Sequence, residues 1–116
     1  MVHSGRRGTL SGVSGKAAHI LGGERVQAYL GPSIRRCCYE VSAELASAFA
    51  ARFGDEVVSG RHISLQDAIR VDLENAGVAV NDLGLCSGCR PDLFYSHRKQ
   101  GPLTGRNLAS VVREAR

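Results

Sequence analysis

Gly31-Pro32-Ser33-Ile34-Arg35-Arg36-Cys37-Cys38-Tyr39-Glu40-Val41 is the stretch on which the fold turns. An apolar run, Val26 to Leu30, stops at its Gly-Pro and a helical pattern begins at its Val41. Glycine admits positive φ, proline fixes φ and removes a donor, and serine bonds nearby backbone, so the segment reads as a loop between a strand and a helix. Loops in that position often line ligand pockets, although many only connect.

On the C-terminal side, Val41 to Phe53 places Val41, Leu45, Ala46, Phe49 and Phe53 on one helical face, with Ser42 as cap, Glu44 in the first turn and Gly54 as stop. Asp55 to Ile63 reads as a loop with a strand-like end at His62-Ile63. Ser64 to Ala76 predicts a second helix, with Ser64 and Asp67 as an approximate capping pair and Gly77 as stop. Its face is Leu65, Ala68, Ile69, Asp72 and Leu73, with Asp72 the polar intrusion. Val78 to Val80, Leu93 to Arg98 and Asn107 to Val112 read as strands, and Arg113 to Arg116 as a frayed tail.

On the N-terminal side, Val26 to Leu30 is a short strand. Thr9 to Leu21 predicts a helix on Leu10, Val13, Ala17, Ile20 and Leu21, stopped by Gly22-Gly23. Gly12 and Gly15 weaken it by roughly 1 kcal/mol each, which implies close packing against a neighbouring backbone. Met1-Val2-His3 reads as the end of a strand, with the turn Ser4 to Gly8 behind it. Most domains do not open on such a turn, so the expectation is a short N-terminal edge or a chain that has lost what came before.

The 116 residues suit one domain, spanning residues 1–116. At 43% hydrophobic the chain is globular, and with no Trp its core must come from Val, Leu, Ile and Ala. The net charge of +4 comes from scattered residues such as Arg6, Arg7, Arg35, Arg36, Arg98 and Lys99. Without a clustered basic face, nucleic acid is not an expected partner, whereas a small anion is. No apolar run is long enough to cross a membrane, and nothing resembles a signal peptide. The expected compartment is the cytoplasm, where the four cysteines remain thiols or bind metal.

Cys86-Ser87-Gly88-Cys89 has metal or redox spacing. A zinc ribbon wants a second such pair, but Cys37 and Cys38 are adjacent, and adjacent side chains are not expected to meet at one tetrahedral centre. The expectation is four buried or half-exposed thiols, with a four-cysteine zinc domain as an alternative. His3, at the mouth of a glycine-rich turn, is the histidine best placed as a zinc or copper ligand. His19, His62 and His97 read as structural. Ser4-Gly5-Arg6-Arg7-Gly8 ahead of a helix suits an anion, with Arg7 as the phosphate contact.

Taken together, His3-Ser4-Gly5-Arg6-Arg7-Gly8, Gly31-Pro32-Ser33-Ile34, Cys37-Cys38-Tyr39-Glu40-Val41, Cys86-Ser87-Gly88-Cys89, Phe94-Tyr95-Ser96-His97-Arg98 and Thr104-Gly105-Arg106 follow one another as in a known family. The chain resembles the C-terminal half of the laccase-domain, or YfiH-type, proteins, described first as multicopper polyphenol oxidases and later as purine nucleoside phosphorylases. Adenosine deaminase and methylthioadenosine phosphorylase activities belong to the same family. The resemblance implies an α+β fold, a layered α/β/β/α sandwich present as roughly its C-terminal half. It implies a zinc or copper site of two histidines and a cysteine, of which His3 is the last ligand, the others belonging to the preceding half. It implies Arg7 as a catalytic and substrate-binding residue, Gly5 and Ser33 as substrate contacts, and a purine nucleoside and phosphate as ligands. A second copy or an N-terminal half would complete the site. Arg6 stands where the family has tryptophan, and His97 where tyrosine is usual. The rival expectation is an inactive fragment or interaction module.

Overall fold

In a computed structural model, residues 1–22 and 25–114 are described. Helices α1 (Arg6–Leu10) and α2 (Val13–Leu21) lead into strand β1 (Gln27–Leu30). Helix α3 (Ala43–Phe53) is followed by a turn of 3-10 helix and the hairpin β2 (Val58–Ser59) and β3 (His62–Ile63). Helix α4 (Leu65–Asn75), strand β4 (Ala79–Asp82) and the short helix α5 (His97–Gln100) complete the order. Among the described residues, no helix is long and apolar enough to cross a membrane.

Helices α3 and α4 form where the capping pattern puts them. The Ser42 hydroxyl accepts from the Leu45 N–H at 3.2 Å, and the Ser64 hydroxyl from the Asp67 N–H at 3.1 Å. Gly54, at φ 101°, ends α3 in a conformation that other residues avoid. The two helices and the hairpin enclose Tyr39, Val41, Phe49, Val57, Ile63 and Ala68. A second cluster, Ala18, Leu73 and Val78, lies where α2 and α4 cover the β1–β4 pair, with Ile69 packed against both clusters. Asp72, the polar intrusion on α4, is held by Arg52 at 3.0 Å.

The helix expected over Thr9 to Leu21 is two helices. Ser11 and Gly12 separate them, and Gly12 has φ 76°. Gly15 does lie against backbone: a Cβ there would stand 3.5 Å from the Asp72 carbonyl oxygen. Gly23, part of the expected stop, and Ala115 and Arg116, part of the expected tail, lie outside the described residues.

Strands β1 and β4 pair in parallel, Gln27 opposite Ala79 through Leu30 opposite Asp82, with α3, the hairpin and α4 forming the crossover. The strands expected over Met1 to His3, Leu93 to Arg98 and Asn107 to Val112 do not form. The Phe94 N–H instead donates to the Arg90 carbonyl at 2.9 Å, closing a turn, and α5 begins at His97. Asn107 uses its side chain on the Tyr95 backbone, accepting from its N–H at 2.9 Å and donating to its carbonyl at 2.7 Å. This amide copies a strand pairing at a single residue.

Candidate functional site: a four-cysteine cluster and an arginine-lined cleft

Two loops leave the carboxyl ends of the parallel strands and run side by side, the position at which α/β sheets commonly hold ligands. The Leu83 N–H donates to the Leu30 carbonyl at 3.1 Å, the Ser33 N–H to Leu85 at 3.3 Å, and the Ser87 N–H to Ser33 at 3.0 Å. Ser33 and Cys86 thus form a parallel bridge beyond the strand ends. Arg35 clamps the arrangement with two hydrogen bonds to the Asp82 carboxylate, at 2.8 and 2.7 Å. The guanidinium holds that carboxyl below its usual range, against the opposing effect of burial. Beneath the loops, buried Gln66 donates to the Ser33 hydroxyl at 2.6 Å and to the Ile34 carbonyl at 3.0 Å.

This pairing brings all four cysteines together. Cys37 Sγ lies 3.6 Å from Cys38 Sγ, 3.6 Å from Cys86 Sγ and 3.3 Å from Cys89 Sγ. Cys38 and Cys89 are 3.4 Å apart, and all four sulfurs lie within 4.8 Å of one another. The expectation that adjacent Cys37 and Cys38 diverge is corrected here. They lie in a turn closed by the Cys38 N–H donating to the Arg35 carbonyl at 2.9 Å, and that turn aims both side chains at the opposite loop. Gly88 makes the approach feasible, since a Cβ on it would sit 2.8 Å from Cys38 Cβ.

The four thiols are free and unequal. Burial raises the Cys86 pKa, but the N–H groups of Arg35, Cys89 and Gly88 and the Cys37 thiol outweigh it, holding the group at about 6. Cys37 is pushed up to about 12, first by its hydrogen bond with Cys89 and then by burial. Crowded sulfurs repel a second negative charge, and a cation among them offsets that repulsion.

Beside the cluster opens a cleft of about 610 Å³, lined by Arg6, Tyr39, Ser87, Tyr95, His97 and Arg98 among others. Arg98 lies over the Tyr39 ring at 5.1 Å. Aromatic faces and cationic groups in one cleft suit a flat ring carrying or accompanying an anion.

The residues expected to form a site are spread differently. His3 and Arg7 are exposed on the N-terminal segment, and a side chain at Gly5 would meet His3 Nε2 at 3.3 Å. Ser33 lies in the loop beside Cys86 with its hydroxyl engaged by Gln66. Arg6 rather than Arg7 lines the cleft, and His97, read as structural, lines it too. No local spacing marks Tyr39, Tyr95 or Arg98 individually as a cleft residue. The available signal was their place in the motifs Cys37 to Val41 and Phe94 to Arg98.

Comparison with known proteins gives this geometry a relationship. Purine nucleoside phosphorylase LACC1 of Homo sapiens is 30% identical across 96% of this chain and 30% of its own length. Purine nucleoside phosphorylase YlmD of Geobacillus stearothermophilus is 29% identical across 97% and 47%. Adenosine deaminase RL5 of an unknown prokaryotic organism is 34% identical across 97% and 49%. The chain therefore spans from about a third to about a half of the length of these relatives. The crystal structure of YlmD from Geobacillus stearothermophilus superposes with a TM-score of 0.66 at 26% identity, covering 84% of this chain and 43% of that one. The α+β fold is thus that of YlmD, present in part. With the model of the multi-copper polyphenol oxidoreductase laccase family matching residues 1–114, the chain belongs to that family.

Proposed function

We propose that this chain is one part of a purine nucleoside phosphorylase, cleaving the N-glycosidic bond of adenosine or inosine with phosphate as nucleophile. The carrying observation is the similarity of nearly the whole chain to proteins named purine nucleoside phosphorylase. The cleft supports it chemically. Arg6 and Arg98, the latter stacked on the Tyr39 ring, offer positive charge to phosphate, and exposed Tyr95 offers a ring face to a base. In the step itself a phosphate oxygen bonds to the ribose C1′ as the bond from C1′ to the base nitrogen breaks, and the electron pair leaves with the base. Cationic groups at the phosphate hold the nucleophile in place; the family resemblance gives Arg7 and the Gly5 turn that role beside Arg6, although neither lines this cleft. Ser33 is the further substrate contact in this reading, one residue before Ile34, which lines the cleft. Adenosine deamination and methylthioadenosine phosphorolysis fall within the same reading, as does a cytoplasmic setting for residues 1–116 acting as one partial domain.

The zinc or copper implied at His3 needs about three protein ligands. Among the described residues, the four cysteines alone group three or more ligand side chains, and His3 is not among them. The described residues of this chain by themselves do not fit that metal. Its remaining ligands would come from an N-terminal half or a second copy.

The test is phosphate-dependent release of hypoxanthine from inosine by the purified chain supplied with zinc. Arg7→Ala should lower kcat/KM about 100-fold or more. No turnover, together with unchanged NMR signals of Tyr39 and Tyr95 on adding inosine and phosphate, overturns the reading.

One observation favours a second reading, an interaction module without activity. Among the described residues, β1 and β4 pair only with each other, and Tyr29 on β1 is 69% exposed. Parallel strands are normally flanked and covered. A stable dimer that turns over no nucleoside would select this alternative.

A further inference from the structure

The four cysteines are separable from the phosphorylase reading, which assigns them no role. We propose that Cys37, Cys38, Cys86 and Cys89 bind one zinc ion in a closed tetrahedral site that fastens the loop after β1 to the loop after β4.

Three observations carry this. The first is distance. A tetrahedral zinc with bonds of about 2.3 Å sets its sulfurs about 3.8 Å apart. The recorded sulfur separations of 3.3, 3.4, 3.6 and 3.6 Å, and the 4.8 Å upper bound for every pair, bracket that edge. A disulfide would need about 2.05 Å, and all four thiols are free.

The second is the backbone. The Cys38 N–H donates to the Arg35 carbonyl at 2.9 Å, closing the turn that carries Cys37 and Cys38, and the Ser33–Cys86 bridge, with the Ser87 N–H donating to Ser33 at 3.0 Å, holds the other loop alongside it. Backbone bonds that fix both ligand-bearing loops hold the four sulfurs in place before any ion binds. Gly88 is required for Cys38 to come within reach.

The third is charge and place. Four thiolates around a divalent ion leave two negative charges. Arg6, Arg61, Arg98 and Lys99 line the groove that contains Cys38, opposed there by Glu40 alone among acidic residues. The segment downstream of the cluster needs such a fastening. From Cys86 to Glu114, α5 is the only helix among the described residues, and Leu103, Leu108, Val111 and Val112 are exposed. Small or loop-rich segments without a core are commonly held by metal.

An all-sulfur tetrahedral donor set selects zinc or iron over calcium, magnesium or manganese. Four protein ligands leave no open position, so the ion is structural rather than catalytic. The site is also distinct from the metal implied at His3, with which it shares no residue.

The test is metal analysis of the purified chain by plasma mass spectrometry, with cobalt replacement. About one zinc per chain is expected, and cobalt should give the sulfur-to-metal charge-transfer band and the visible bands of a tetrahedral thiolate site. Cys86→Ser and Cys38→Ser should lose the ion, whereas His3→Ala should retain it. Should a serine variant fail to fold, alkylation of the unaltered chain decides, with zinc protecting all four thiols and a chelator exposing them. Zinc well below one per chain with thiols unprotected, stoichiometric iron, a disulfide within the cluster, or zinc lost only on replacing His3 overturns the proposal. Absence of phosphorolysis leaves it standing.

Discussion

Residues 39–78 and residues 86–114 solve the problem of order in opposite ways. In the first segment, Phe49, Ile63 and Ala68 have no exposed surface, and two capped helices close over them. In the second, the buried side chains are Cys86, Ser87 and Ser96, and order comes from side-chain amides, turns and the thiol cluster. Apolar burial is non-directional and tolerates small shifts, at about 25 cal/mol per Å². Sulfur and amide contacts are directional and fail on loss of one partner. The first segment should therefore respond to lost volume and the second to lost donors.

The largest effect should be Phe49→Ala, which empties the centre of the first segment and costs about 3–5 kcal/mol. Urea denaturation measures it, and a loss below about 1 kcal/mol would mean that the core is not continuous around α3.

Next is Gly88→Ala. The added methyl meets Cys38 Cβ at 2.8 Å, so the two loops must separate, at a cost of about 1–3 kcal/mol. Hydrogen exchange should speed up across residues 86–101 and stay slow in α3 and α4. Equal loss in both regions would erase the distinction between them.

Asp82→Asn removes the charged half of the Arg35 clamp and should cost about 1–3 kcal/mol, both side chains being mostly buried. The pH dependence has a definite sign. The folded pKa of Asp82 is lowered, so its contribution is fully present above the unfolded value near 3.8 and is lost as pH falls through the lower folded value. Stability of the unaltered chain should fall on acidification below about pH 4, and Asp82→Asn should flatten that slope.

The smallest effect should be Ser64→Ala, about 1 kcal/mol, read as a modest fall in Tm with the thiol cluster unchanged.

Glycine in the second segment has an unusual weight. A Cβ on Gly105 would lie 2.7 Å from the Tyr95 ring, a contact as severe as that at Gly88. The closing Thr104-Gly105-Arg106 motif thus has a packing reason in this chain, because only glycine lets the C-terminal segment cross the ring. Tyr95 is also a cleft residue, so this crossing ties the far end of the chain to the candidate site.

The sequence was sufficient for α3, α4 and β1, and placed β4 at Val78 to Val80 against the observed Ala79–Asp82, because their signals are local. Ser42 and Ser64 cap their own helices, Gly54 and Gly77 sit at positive φ just beyond them, and helical spacing gathers Leu45, Ala46, Phe49 and Phe53 on one face. It also yielded the motifs that carry the family resemblance. Tertiary structure decided the rest. Alternation over Leu93 to Arg98 could not supply a pairing partner, so a turn and α5 form instead. Spacing alone suggested that Cys37 and Cys38 diverge. Their direction is set by the turn from Arg35, and their meeting with Cys86 and Cys89 by the parallel pairing of β1 with β4, contacts separated by about fifty residues of chain. Side-chain convergence across such a separation depends on loop paths that no local pattern encodes.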